Sequence, residues 1–227
     1  MKKKAVIFDM DGLMIDSERA TLATFNAIFA ELGYPPVPEE RYQAMLGKKP
    51  ETMLDLFYEL YGKDCPAGYV WAESHKRIDG QFRNQVPKKK GLDILLKYLK
   101  ENHYKTIVAT SSARSRVDEI LKHGGLCSCF DGSICGDEVA CNKPHPEVFL
   151  TACEKLKVKP EEALVLEDSE AGIMAACRGH IDVICIPDMK YPEPEYAEKT
   201  KAVLNSLDEV IDYLEALKNL KYKEEES

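Results

Sequence analysis

Ala5-Val6-Ile7-Phe8-Asp9-Met10-Asp11-Gly12 is the stretch that decides the fold. Its four apolar residues, with lysines before them and carboxylates after, suit a strand buried on both faces, as in a parallel sheet. Asp9 to Gly12 then form a loop at the strand's carboxyl end. After it the hydrophobic period changes. Leu22, Phe25, Phe29 and Leu32 recur at helical spacing, with Asp16 or Ser17 as the cap and Gly33 as the stop. Further helical pieces run from Glu39 to Phe82, broken near Gly47, Pro50, Gly62 and Pro66. Val86-Pro87-Lys88-Lys89-Lys90-Gly91 reads as a linker back to another layer.

Beyond the linker the pattern alternates. Helices are expected over 93–102, 114–123, 146–156, 169–177 and 207–217, and strands over 106–110, 133–135, 163–166, 182–186 and 202–204. Pro146 is well placed in the first turn of its helix. The charged tail 223–227 is expected to fray. Strand–helix alternation predicts an α/β fold, a doubly wound parallel-sheet Rossmann-like core. The helical block that separates the first strand from the rest reads as an inserted all-helical cap domain. Residues 1–16 and 86–227 are assigned to the core and 17–85 to the cap.

At 227 residues, 44% hydrophobic and 31% charged, the chain is an ordinary globular one. A net charge of -8 argues against a nucleic-acid partner. No apolar run is long enough to span a bilayer, so no membrane association is expected. Met1-Lys2-Lys3-Lys4 has the charge of a signal-peptide start, but the apolar run after it stops at Asp9. The protein therefore reads as cytoplasmic, and as a monomer. Its eight cysteines are expected to be thiols. Cys127, Cys129, Cys135 and Cys141 lie close in sequence but lack the paired Cys-x-x-Cys spacing, so no zinc site is assigned to them. The histidines are scattered and receive no role.

In open parallel sheets, ligands sit beyond the carboxyl ends of the strands. The predicted strands deliver Asp9 and Asp11; Thr110, Ser111 and Ser112; and Glu167 and Asp168, with Lys143 following the short strand. Clustered carboxylates repel one another unless a cation sits among them. Oxygen-only ligands favour a hard ion, Mg2+, which also accepts phosphate oxygens. Lys143 and Thr110 would supply positive charge and a hydrogen bond to the remaining phosphate oxygens. A carboxylate can then attack phosphorus, and a second carboxyl can move the protons.

These residues carry a resemblance. Asp9-Met10-Asp11-Gly12-Leu13-Met14-Ile15-Asp16-Ser17-Glu18 resembles the first motif of the haloacid dehalogenase-like superfamily. Thr110 matches its second motif, Lys143 in Lys143-Pro144-His145-Pro146-Glu147 its third, and Glu167-Asp168-Ser169-Glu170-Ala171-Gly172-Ile173 its fourth. The likeness is to the helical-cap subgroup, which contains sugar-phosphate phosphatases and β-phosphoglucomutases. It implies that Asp9 is nucleophile and metal ligand. Asp11 is then the general acid/base, its backbone carbonyl also on the metal. Asp168 is a metal ligand, with Glu167 bound directly or through water, and Thr110 and Lys143 hold the phosphoryl group. The presence of Asp11 argues against dehalogenation and phosphonate cleavage.

A phosphatase acting on a small phosphorylated metabolite, a sugar phosphate, is the expectation. The alternative is a phosphomutase, an isomerase. Against it, no histidine stands near Ala20-Thr21, and Pro50 follows Gly47-Lys48-Lys49 where the mutases carry a cap arginine. In its favour, Ser112 and Arg114 sit where a mutase contacts its non-reacting phosphate. Ser111, Ser112, Arg114, Lys48 and Lys49 are the substrate-binding candidates, with Lys76 and Arg77 as further cap candidates. A catalytically silent phosphate-binding protein is the remaining reading, and the complete acidic set argues against it.

Overall fold

The computed structural model describes residues 2–46 and 50–225. Residues 1, 47–49 and 226–227 lie outside it, and with them the Lys48 and Lys49 candidates. The elements run β1 (Ala5–Phe8), α1 (Ser17–Glu31), α2 (Glu39–Gln43), α3 (Pro50–Tyr61), α4 (Ala67–Asn84), α5 (Leu92–Glu101), β2 (Lys105–Ala109), α6 (Arg114–His123), β3 (Ser133–Ile134) and α7 (Glu147–Leu156). They continue β4 (Ala163–Glu167), α8 (Glu170–Arg178), β5 (Asp182–Cys185), α9 (Pro194–Ala197), β6 (Ala202–Val203) and α10 (Val210–Glu225).

Among the described residues the strands form one parallel sheet in the order β3-β2-β1-β4-β5-β6. β1 is central, in register with β2 on one side and β4 on the other. Its residues are fully buried because both faces are covered. Val6 and Phe8 enter a core made with α5, α6 and α10. Ala5 and Ile7 face a second core made with α7 and α8. Strand order reverses direction between β1 and β4, so a crevice opens where their carboxyl ends separate.

α1 to α4 share a third core, in which Phe25 and Phe29 of α1 meet Phe57 of α3 edge-on at 5.1 and 4.9 Å. The cores interlock. Ile78 and Phe82, late in α4, pack into the sheet's first core, while Met189 after β5 joins the helical one.

Several expectations shift. Leu32 is 40% exposed and Ile28 takes its place on the buried face of α1, because Leu32 already lies past the last helical turn. Asp16 is at the cap position of α1, but its side chain bonds no backbone N–H there and lies 3.5 Å from Arg19 instead. Pro146 caps α7 rather than entering it. The last helix begins with a 3-10 turn at Leu207–Glu209 and runs on to Glu225, through part of the tail expected to fray. α9 was not anticipated, since four residues are too few to show a period. No helix of the described residues is long and apolar enough to cross a membrane.

Candidate active site

Asp9, Asp11, Thr110, Ser111, Ser112, Lys143, Glu167 and Asp168 line one cleft of about 880 Å³ at the carboxyl rim of the sheet. All but Lys143 arrive at or just past a strand end; Lys143 comes from the loop between β3 and α7. Asp9 follows β1 and donates its backbone N–H to Leu166 O of β4 at 3.1 Å. Thr110 follows β2, which ends one residue earlier than expected, and its hydroxyl accepts the Ser112 N–H at 3.1 Å. Glu167 closes β4 and is fully buried.

Two glycines make the convergence possible. Gly12 holds φ at +81°, and a Cβ there would lie 2.2 Å from a carboxylate oxygen of Asp168. A Cβ on Gly172 would lie 1.9 Å from the Glu167 carboxyl, so only glycine lets α8 start beside it.

The charges are unequal. Lys143 ion-pairs with Asp9 and, at 2.6 Å, with Glu167. The other Glu167 oxygen accepts the backbone N–H of Asp168 and of Ser169 and the Ser169 hydroxyl, at 2.8–2.9 Å. Glu167 thus spends its acceptors on holding Lys143 and the β4–α8 turn. The carboxylates of Asp9, Glu167 and Asp168 approach within 4.8 Å of one another. Burial, only partly offset by Lys143 and reinforced by Glu167, pushes Asp9 up to about 7. Burial, reinforced by Glu167 and Asp9 against the opposing pull of Lys143, drives Asp168 well above the usual carboxylate range. Burial alone would lower Lys143, but Asp9 and Glu167 outweigh it and hold its proton firmly. One ammonium does not neutralise this group, and every donor is a hard oxygen. The residues fit a hard divalent cation such as Mg2+.

Asp11 is different. Arg116 donates to one of its oxygens at 2.8 Å and the Ser112 hydroxyl to the other at 2.7 Å. Burial would raise its pKa, but Arg116 and Ser112 more than offset this and hold it below the usual range. Arg116 also lies 3.8 Å from Asp79 and 5.7 Å from the ring centre of Phe82, both on α4. It was not singled out in the sequence; Arg114 was. Arg114 instead donates to Ser133 and Glu138 and does not line the cleft. Both arginines flank the buried Val117–Ile120–Leu121 stripe of α6, and helix spacing does not choose between them.

Other lining residues were also missed. Glu18 accepts a 2.6 Å hydrogen bond from Tyr42. Asp188, after β5, holds Arg19 of α1 and Lys89 of the returning linker with one oxygen, at 2.8 and 2.5 Å; its other oxygen is buried without a partner among the described residues. Lys76 and Arg77 turn instead to Glu73 and Glu31 on the helical surface.

The chain matches the family model for haloacid dehalogenase-like hydrolases over residues 6–186. A phosphorylated carbohydrates phosphatase of Thermotoga maritima is 31% identical over 184 residues, spanning 80% of this chain and 83% of the relative. A Drosophila melanogaster protein, provisionally named a pseudouridine-5'-phosphatase, is 28% identical over 89% of each chain. A solved Thermotoga maritima structure, provisionally assigned as a β-phosphoglucomutase, superposes with a TM-score of 0.78 at 27% identity, covering 95% of this chain and 99% of that one. The chain belongs to the haloacid dehalogenase-like hydrolases. Within them, relatives designated as phosphatases put it among the phosphoric monoester hydrolases.

Proposed function

We propose that the chain is a Mg2+-dependent phosphatase that hydrolyses a small phosphate monoester, of sugar-phosphate type, through an aspartyl phosphate on Asp9. The observation that carries this reading is the surplus of buried carboxylate at Asp9, Glu167 and Asp168, with Lys143 as their only ion-pair partner among the described residues. Asp9 and Asp168, with the backbone carbonyl of Asp11, would hold the ion. Glu167 would join them directly only by releasing Lys143 or its backbone donors. When bound, Mg2+ would shield the phosphate's charge against the attacking carboxylate.

Asp9 attacks phosphorus, the ester P–O bond breaks, and the leaving oxygen takes from Asp11 a proton that this carboxylate, ionised at rest beside Arg116, would first accept from the monoanionic ester as it binds. Water then gives a proton to Asp11 and attacks the same phosphorus. The bond to Asp9 breaks and inorganic phosphate leaves. The ion-paired Asp11 suits the second half-reaction, in which it accepts a proton. Lys143 and Thr110 bind the oxygens of the transferred group.

The likeness to a provisionally assigned β-phosphoglucomutase supports a second reading, phosphoryl return to the sugar. Ser112 and Arg114 would then need to hold a second phosphate. In this structure Ser112 serves Asp11 and Arg114 serves Glu138, so hydrolysis is favoured.

The test is incubation with Mg2+ and a panel of small phosphate esters that includes β-glucose 1-phosphate with a trace of the 1,6-bisphosphate. Phosphate and glucose 6-phosphate are both measured, with Asp9→Asn as blank. Phosphate release that vanishes in the variant supports hydrolysis. Isomerisation without net phosphate release replaces it with the mutase reading.

A further inference from the structure

We propose that Cys141, His145 and Glu147 form a second metal site, for a borderline or soft divalent cation of the zinc class. It lies outside the carboxylate cluster and differs from it in kind. One donor atom from each residue, the Cys141 thiol, a His145 ring nitrogen and a Glu147 carboxylate oxygen, falls within 4.8 Å of the others. Sulfur and imidazole donors select zinc-like ions over Mg2+, whereas Asp9, Glu167 and Asp168 offer oxygen alone.

The carboxylate is already fixed. Its two oxygens accept the backbone N–H groups of Ala140 and Cys141 at 2.8 and 3.0 Å, which folds Cys141 back over the start of α7. His145 Nδ1 stands 3.7 Å from Glu147 Oε2, and the Glu147 backbone N–H points at that same nitrogen from 3.4 Å. With the ring proton on Nε2, Nδ1 presents a lone pair, and two acceptors then face each other 3.7 Å apart. Zinc bonds of about 2.1 Å at a tetrahedral angle put such donors about 3.4 Å apart. The gap closes with a small side-chain turn.

Binding is balanced by proton release: the cation replaces the thiol proton of Cys141, and thiolate plus carboxylate neutralise its two charges. Cys141 and His145 are exposed, so water completes the tetrahedron. The ion would span the turn carrying Lys143, which is already pinched by the His145 N–H donating to Asn142 O at 3.0 Å.

The proposal does not depend on the phosphatase reading. Its test uses the full chain, reduced and metal-stripped, with Mg2+ present, titrated with Co2+ as a spectroscopic stand-in for zinc. A near-ultraviolet thiolate-to-cobalt band should grow to saturation near one equivalent and be displaced by Zn2+. It should vanish in Cys141→Ser and need at least about tenfold more Co2+ in His145→Ala. It should persist in Cys127→Ser, another exposed cysteine, and in Asp9→Asn. No band, a band surviving Cys141→Ser, or a band unchanged in His145→Ala overturns the site.

Discussion

At the amino end of the sheet Lys3 is buried, and its ammonium donates to Glu161 O at 3.0 Å and Ala163 O at 2.8 Å and pairs with Asp182 at 2.7 Å. Asp182 also meets Lys201 at 3.2 Å. At the carboxyl end Lys143 is equally buried, yet it stands between Asp9 and Glu167 with Asp168 beside them. Below, the cations exceed the acids. Burial pushes Asp182 up, but Lys3 and Lys201 outweigh it and hold the carboxyl below its ordinary range. Above, the acids exceed the cation, and Asp9 and Asp168 rise. One sheet thus ends in a satisfied cluster and a frustrated one. Frustration of this kind is stored where a ligand or reaction relieves it.

The largest expected effect comes from removing the surplus. Asp9→Asn deletes the attacking oxygen and one buried negative charge together. Turnover in a phosphate-release assay should fall about ten-thousand-fold or more. The melting temperature without metal should hold or rise, because the frustrated end has lost part of its repulsion. A variant that keeps its turnover, or melts much earlier than the parent in metal-free buffer, contradicts the contrast.

Lys143→Met breaks the same cluster the other way. Asp9 and Glu167 are left buried with no cation, at a cost of about 3–5 kcal/mol. Thermal melting should show that loss and Mg2+ should recover part of it. The phosphoryl group also loses a donor, so turnover should drop about a hundred- to a thousand-fold. If Mg2+ recovers none of the stability, the ion does not sit among these carboxylates.

Without metal, the frustrated end should also set the pH dependence. Asp9 titrates near 7 when folded and near 4 in the unfolded chain. Between those values the folded form keeps a proton that the unfolded form has shed. Metal-free stability should therefore fall as pH rises from about 4 to 7 and level off above. Millimolar Mg2+ should flatten that slope, since an ion among the carboxylates favours their charged form. Melting curves with and without metal at several pH values check this; a metal-free melting temperature that climbs across the window counts against it.

The contrast also explains what was legible in the sequence. β1, β2 and β4 are short, mainly apolar and buried runs, and their ends are where chemistry must sit in an open parallel sheet, so Asp9, Thr110 and Asp168, with Lys143 in the loop after β3, could be placed on one rim from the pattern. What the pattern did not carry is rotation and partner choice. Arg116 rather than Arg114 reaches Asp11 because of how α6 is turned on the sheet, a tertiary quantity. Glu18 and Tyr42 meet across the α1–α2 connection, and Asp188 gathers Arg19 and Lys89 from sequence distances no local period spans. Cys141, His145 and Glu147 follow no cysteine-pair spacing, and their donor atoms meet only because of how the chain turns before α7.

The smallest effect belongs to the satisfied end. Asp182→Asn keeps an acceptor for Lys3 and removes only the charge. The carboxylate is partly solvated, so the cost at neutral pH should be about 1 kcal/mol, a fall of about 2–4 °C in melting temperature for a chain of this size. Turnover should not change. Because the folded pKa lies below the ordinary value, the parent's advantage is complete above about pH 4 and is lost as pH falls through the folded value. Acidification from about pH 7 to 4 should therefore stabilise the metal-free site at the carboxyl end, and further acidification below about 4 should close the gap between parent and variant at this one. Opposite pH trends at the two ends follow from the sign of the charge imbalance alone. A gap that widened on acidification would mean that Asp182 is not held as a carboxylate by Lys3 and Lys201, and that the amino end is not the cation-rich cluster its geometry describes.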